Sequence, residues 1–87
     1  MTAAEALAEI RGLAFAGRVH FIQHARVAAR KRGFTLQEVV DGLATAHGCR
    51  LESAGRWRAL CRDWAGDPSD AIVEIEDELI VVTVFAE

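Results

Sequence analysis

After Gly48 the apolar residues of this sequence stop recurring about every 3.6 positions and begin to alternate about every 2. That switch, in a chain of 87 residues, is the strongest constraint on its fold. Helices come first and a meander of strands follows, which predicts an α+β domain with helices packed on one face of a sheet. The chain is the size of one domain, residues 1–87, and has room for one core.

The helical half divides at two glycines. Residues 3–16 are rich in Ala and Leu, with Leu7, Ile10, Leu13 and Ala14 at helical spacing, and Gly17 follows as a stop. Thr2 with Glu5 three places on has the form of a capping box. The piece 18–22 crowds β-branched and aromatic residues and reads as extended. A second helix is expected from Gln23 to Lys31, ended by Gly33. Thr35 and Glu38 repeat the capping box before a third helix, whose buried stripe is Leu36, Val39, Val40 and Leu43. It should end near Ala46.

The alternating half reads as four strands, 49–53, 56–64, 71–76 and 79–85. Ala54-Gly55, residues 66–70 and Asp77-Glu78 carry turn chemistry between them. The expected sheet is therefore four-stranded and antiparallel. On the second strand, alternation sends Trp57, Ala59 and Cys61 to the core and Arg56, Arg58, Leu60 and Arg62 to the opposite face. That second set is a basic row on which a phosphate backbone could lie, or a solvated outer face.

Charge is distributed unevenly. Residues 17–62 hold nine Lys or Arg and three acids, whereas residues 63–87 hold eight acids and no base, for a net charge of −3. This argues against a protein that merely coats nucleic acid, which rarely carries such an acidic tail. Either the acidic tail neutralises the basic part internally, or a basic site for an anionic ligand stands beside an acidic flank. An apolar content of 52% with 26% charged residues fits a globular chain. No apolar run is long enough for a membrane span, and the first residues lack the basic start of a secretory signal, so a cytoplasmic location without membrane partners is expected. Cys49 and Cys61 are then expected as reduced thiols.

The chemistry concentrates in 18–32. His24, Ala28 and Arg32 are four apart and share a helix face, with Arg26 and Arg30 on another. Histidine is suited to general acid–base work near neutral pH, and guanidinium to holding phosphate. These are the parts of metal-free RNA cleavage, in which a 2′-hydroxyl attacks the adjacent phosphate; a plain surface helix uses the same residues. His20 and His24 have H-x-x-x-H spacing without the glutamate of a zincin, and His47, Cys49 and Cys61 lack paired C-x-x-C spacing. No metal or cofactor is expected. Trp57 and Trp64 read as core or interface aromatics, Thr83 as a polar residue bonded within the sheet or facing a site, and 74–78 as a solvated turn.

The segment Phe21-Ile-Gln-His-Ala-Arg-Val-Ala-Ala-Arg-Lys-Arg-Gly-Phe-Thr35, then Leu36-Gln-Glu-Val-Val40, resembles the bacterial family called domain of unknown function 4258. The family's F-[ST]-x-H-A-x-x-R-[ML]-x-x-R-G-[IVF]-[ST] signature is matched at His24, Ala25, Arg32, Gly33 and Thr35, and Ile80-Val-Val-Thr-Val-Phe85 is similar to its closing strand. The likeness spans residues 18–85, with 1–17 as an added helix. It implies a fold similar to the RelE-like, barnase-like ribonuclease toxins, including the BrnT-like group, some of which pair with an antitoxin. The implied function is the toxin of a type II toxin–antitoxin pair acting as a metal-independent ribonuclease. His24 would be its acid/base and Arg32 its phosphate binder, with Arg26, Arg30, Arg56, Arg58 and Arg62 along the RNA. The implied partners are RNA and a cognate antitoxin protein, with a homodimer as a further possibility. The family's first arginine, one turn after the histidine, is Ala28 here. The alternative is a non-catalytic protein-interaction domain on the same fold.

Overall fold

The computed structural model describes residues 1–85, leaving Ala86 and Glu87 outside. Its elements run α1 (Ala3–Phe15), β1 (Val19–Phe21), α2 (Gln23–Lys31), α3 (Leu36–Ala44), β2 (Gly48–Ser53), β3 (Arg56–Leu60), β4 (Ala71–Ile75) and β5 (Leu79–Val84). The fold is α+β, with three helices and a five-stranded sheet in the order β1-β5-β4-β3-β2.

The sheet corrects the expected four antiparallel strands. β2 to β5 do form an antiparallel meander. The extended piece before α2 joins them as β1, parallel to β5, with Val19, His20 and Phe21 beside Leu79, Ile80 and Val81. Leu79 N donates to Arg18 O at 2.8 Å, and Ile22 N to Val81 O at 3.3 Å. A parallel partner about 60 residues away in sequence leaves no hairpin signal to read. β3 also ends earlier than alternation suggests, at Leu60 rather than near 64. The Asp63 carboxylate pulls the chain into a turn there, its Oδ1 accepting from Ala65 N and Asp67 N at 2.9 Å.

Both capping boxes form. Thr2 and Glu5 close α1, and Thr35 and Glu38 close α3, each pair exchanging side-chain and backbone hydrogen bonds. α3 stops at Ala44, slightly before the expected end, with Thr45 Oγ1 donating to Asp41 O at 3.0 Å. α2 has the bounds expected of it. It ends in a Schellman motif, where Gly33 N donates to Arg30 O and Phe34 N to Ala29 O. Gly33 sits at φ +77°, a backbone conformation that costs any other residue strain.

One core lies between the helices and a single face of the sheet. Ile10, Ala25, Ala29, Val39 and Leu43 from the helices meet Ala59, Val73, Leu79 and Val81 from the strands. α1 belongs to that core, burying Ala6, Ile10 and Ala14 and packing on α3 and β2. Strand alternation therefore sends Arg58, Ile72 and Ile80 to the face that no helix covers. Among the described residues no helix is long and apolar enough to cross a membrane.

Candidate functional site: two separate sets of arginines

α2 is positioned by its small residues. Ala25 and Ala29 are fully buried and let the helix lie against β5, while Ala28 is half-buried at the margin. Everything charged on it faces water: Arg26, Arg30, Lys31 and Arg32 are exposed, as are His20, His24 and Arg18 nearby. The stretch 18–32 has five Lys or Arg and no acid. Arg30 and Lys31 also occupy the last turn of α2, where cations complement the helix dipole. Arg26 is partly tied down, its Nε donating to Phe21 O at 3.3 Å. Arg26 and Arg30 border an open groove of about 400 Å³ that continues over Gly33, Phe34, Thr35 and Leu36 to the start of α3.

His24 and Arg32 do share one side of α2, but eight residues separate them, or about 12 Å along the axis. Arg32 is already the C-cap residue of the helix. The two are placed to meet phosphates well apart along a strand, and not one phosphorus together. Midway stands Ala28, which carries no charge.

The β3 arginines are differently occupied. Arg56 Nε donates to Glu74 Oε2 at 2.9 Å, and Arg58 Nε to Asp70 Oδ2 at 3.0 Å. The Arg58–Asp70 pair is withdrawn from solvent, with side chains 16% and 11% exposed, and Arg58 also lies over the Phe85 ring at 4.8 Å from its centroid. The other Asp70 oxygen accepts from Cys61 N at 3.3 Å. Arg62 Nη1 donates to Gly66 O at 3.1 Å, holding the loop that follows β3. The face assignments drawn from alternation stand for Trp57, Ala59 and Cys61 on the core side and for Arg56 and Arg58 opposite; Arg62 departs from them, because β3 ends at Leu60 and Arg62 lines a cleft beside α3 with Val39 and Leu43. What alternation cannot show is that carboxylates from β4 and its approach already neutralise Arg56 and Arg58.

Six of the seven expected site residues thus fall into two sets on opposite sides of the sheet. His24, Arg26, Arg30 and Arg32 lie on α2, on the helical side. Arg56 and Arg58 lie on the uncovered side, and Arg62 lies just beyond the end of β3, where it bridges to Pro68. Asp70 and Phe85 are the participants that sequence reasoning passes over. Asp70 sits in a stretch of turn residues, and its long-range pairing leaves no local trace. Thr83 stands beside Ile72 on the uncovered face, half-buried.

Both cysteines are free thiols. Burial and the neighbouring Asp70 push the Cys61 thiol up to about 12, and partial burial raises Cys49. Neither has the depressed pKa of a nucleophile. Among the described residues no three His, Cys, Asp or Glu side chains are grouped to hold a metal ion. Neither a scan against protein-family models nor a search of the curated proteins finds a match for this chain.

Proposed function

We propose that this chain is an RNA-directed domain of the ribonuclease-toxin type, which holds the phosphate backbone along α2. One observation carries the reading: the five cationic side chains of 18–32 are all exposed, with no acid among them, while the acids that form ion pairs spend them on β3. Of the two outcomes that the charge asymmetry allows, internal neutralisation accounts for Arg56 and Arg58 and leaves α2 open to an anion. The phosphate contacts are then Arg26, Arg30, Lys31 and Arg32, and His24 is the proton-transfer group for attack by a 2′-hydroxyl. With Ala28 where a second cation would stand one turn from His24, cleavage is slow and needs no metal.

The test is binding of a labelled single-stranded RNA by fluorescence anisotropy across a salt series, with cleavage followed on gels in EDTA. Replacing Arg30, Lys31 and Arg32 together by Ala should weaken binding and flatten the salt slope by about 2. Arg56→Ala should leave both unchanged. Cleavage products should disappear in His24→Ala. Absence of binding at low salt, or equal loss in both sets of variants, refutes the assignment to α2.

A protein-interaction domain remains the second reading, favoured by the uncovered sheet face. Leu60 and Ile80 lie on it half-buried, beside arginines that are already paired. Expression in bacteria with and without the neighbouring open reading frame separates the two. Growth arrest relieved by the neighbour supports a toxin with a cognate antitoxin; no effect at any dose supports a non-catalytic domain.

A further inference from the structure

β2 is an open edge of the sheet. It pairs with β3 alone, so among the described residues its outward-pointing backbone N–H and C=O groups have no strand beside them. Such an edge is a template for another strand unless it is short, covered, or charged so as to repel one. The opposite edge, β1, has three residues, whereas β2 has six. α1 packs on the face of β2 but leaves residues 50–53 exposed.

The side chains along this edge are unfinished in the single chain. Leu51 is 60% exposed although it stands opposite Trp57, on the helix side of the sheet. Arg50 is on the uncovered side, directly opposite Arg58, and two like charges in that relation are unfavourable. Asp70 is taken by Arg58, and among the described residues neither Arg50 nor Glu52 has an ion-pair partner. A bulge sets Ser53 against Arg56, so Glu52 has no counterpart in β3. The charges on this edge are therefore of opposite sign, unspent, and placed one on each side of an exposed leucine.

We infer that β2 pairs with β2 of a second copy of this chain, antiparallel and centred on Leu51. The two-fold axis then sets Leu51 against the partner's Leu51, which carries the Trp57–Leu51 row across the join. Each Arg50 meets the partner's Glu52, so that two ion pairs form at once. Sliding the strands by two residues either way keeps the faces aligned but opposes Arg50 to Arg50 or Glu52 to Glu52. Charge thus fixes the register. The contact is small, and a dissociation constant of about 0.1 mM is expected. α2 packs on β5, three strands from β2, so the pairing stands independently of RNA binding.

The test is sedimentation equilibrium of the nucleic-acid-free chain from about 10 μM to about 1 mM. Arg50→Glu and Glu52→Arg change exposed positions, and each alone sets like charges at both contacts. Either variant should associate with itself about tenfold more weakly or worse. Mixed in equal amounts, the two should recover the affinity of the unaltered chain, because every contact is again between opposite charges. The register has its own check. Leu51→Cys, made together with Cys49→Ser, lies on the axis about 4.5–5.5 Å between Cα atoms, within the span of a disulfide. Diamide should link that variant into dimers and leave the unaltered chain unlinked, since Cys49 is two residues off the axis. A chain that stays monomeric at about 1 mM would overturn the inference and leave the edge to a strand of a different protein. Single variants that associate undiminished, a mixture that recovers nothing, or no link at position 51 would each overturn it as well.

Discussion

Asp70→Ala should be the most damaging single change among the polar residues. Asp70 is 8% exposed and serves two partners at once, Arg58 through Oδ2 and the Cys61 amide through Oδ1. Removing one member of a buried ion pair costs about 3–5 kcal/mol, because the other charge stays behind without compensation. Arg58 keeps its contact with Phe85 and some access to water, which places the loss toward the lower end of that range. The stranded Cys61 N–H adds roughly 1 kcal/mol or more. A domain of this length has only about 4–13 kcal/mol in total, so the variant should lose a large share of its stability. At about 4–8 °C per kcal/mol, the melting temperature should fall by at least ~12 °C. Urea denaturation at unchanged slope gives the free energy directly. Asp70→Asn retains an acceptor for Cys61 and should cost less than Asp70→Ala. A double-mutant cycle with Arg58→Met should return a coupling of about 1.5 kcal/mol or more. A loss below about 1 kcal/mol in Asp70→Ala, or no coupling in the cycle, would refute the reading of Arg58 and Asp70 as a buried pair in which each charge depends on the other.

Other consequences follow from the thiols, the caps and one glycine. In the native protein Cys49 should react with iodoacetamide ahead of Cys61, whose thiol is held up to about 12 by burial and Asp70. Peptide mass spectrometry should find Cys61 labelled only with denaturant, and early labelling would contradict its burial. Because the folded pKa of Cys61 is raised, the stability this confers is complete below about 9 and lost as pH climbs toward about 12; melting curves through that window should slope downward. Glu5 has the opposite sign: hydrogen bonding to the Thr2 backbone and hydroxyl lowers its pKa, so the α1 cap holds above the ordinary glutamate range and is lost as pH falls through the depressed value. Amide exchange at Glu5 should accelerate there before global unfolding begins. Thr35→Ala should cost about 1 kcal/mol by urea denaturation, and Gly33→Ala a similar amount for its positive φ.

The helices were legible because their signals are local. A capping box spans four residues, and a glycine at positive φ sits beside the helix that it ends, so Thr2, Gly17, Gly33 and Thr35 could all be read in sequence. The sheet was legible where neighbouring strands share a hairpin, and not where β1 inserts beside β5, since parallel pairing depends on the whole intervening chain. The same division applies to the site. Clustering of charge on α2 is a property of one segment, whereas the partners of Arg56 and Arg58 lie 18 and 12 residues away. Trp64 illustrates the remaining failure. An aromatic next to a strand pattern reads as core or interface, but the Asp63 turn takes it out of the strand and leaves its indole in water.

Those pairings also decide how the acidic end of the chain bears on function. Had Asp70 and Glu74 faced α2, the basic helix would have been neutralised within the molecule, and the RNA reading would have no surface left. Instead β4 runs beside β3 in a register that sets Ile72 against Arg58 and Val73 against Trp57, bringing the acids to the arginines of the uncovered face. The sheet itself then separates two electrostatic environments. One side keeps its charges in pairs around an apolar centre, where phosphate would have to compete with a carboxylate for each guanidinium. The other keeps Arg26, Arg30, Lys31 and Arg32 of α2 in water, where each phosphate contact gains mainly from released counterions. RNA binding that falls steeply with salt in the unaltered chain, and is insensitive to Arg56→Ala, is the behaviour this separation requires. Steep salt dependence lost through Arg56→Ala alone would mean that Glu74 releases its arginine to the ligand and that the uncovered face is the site.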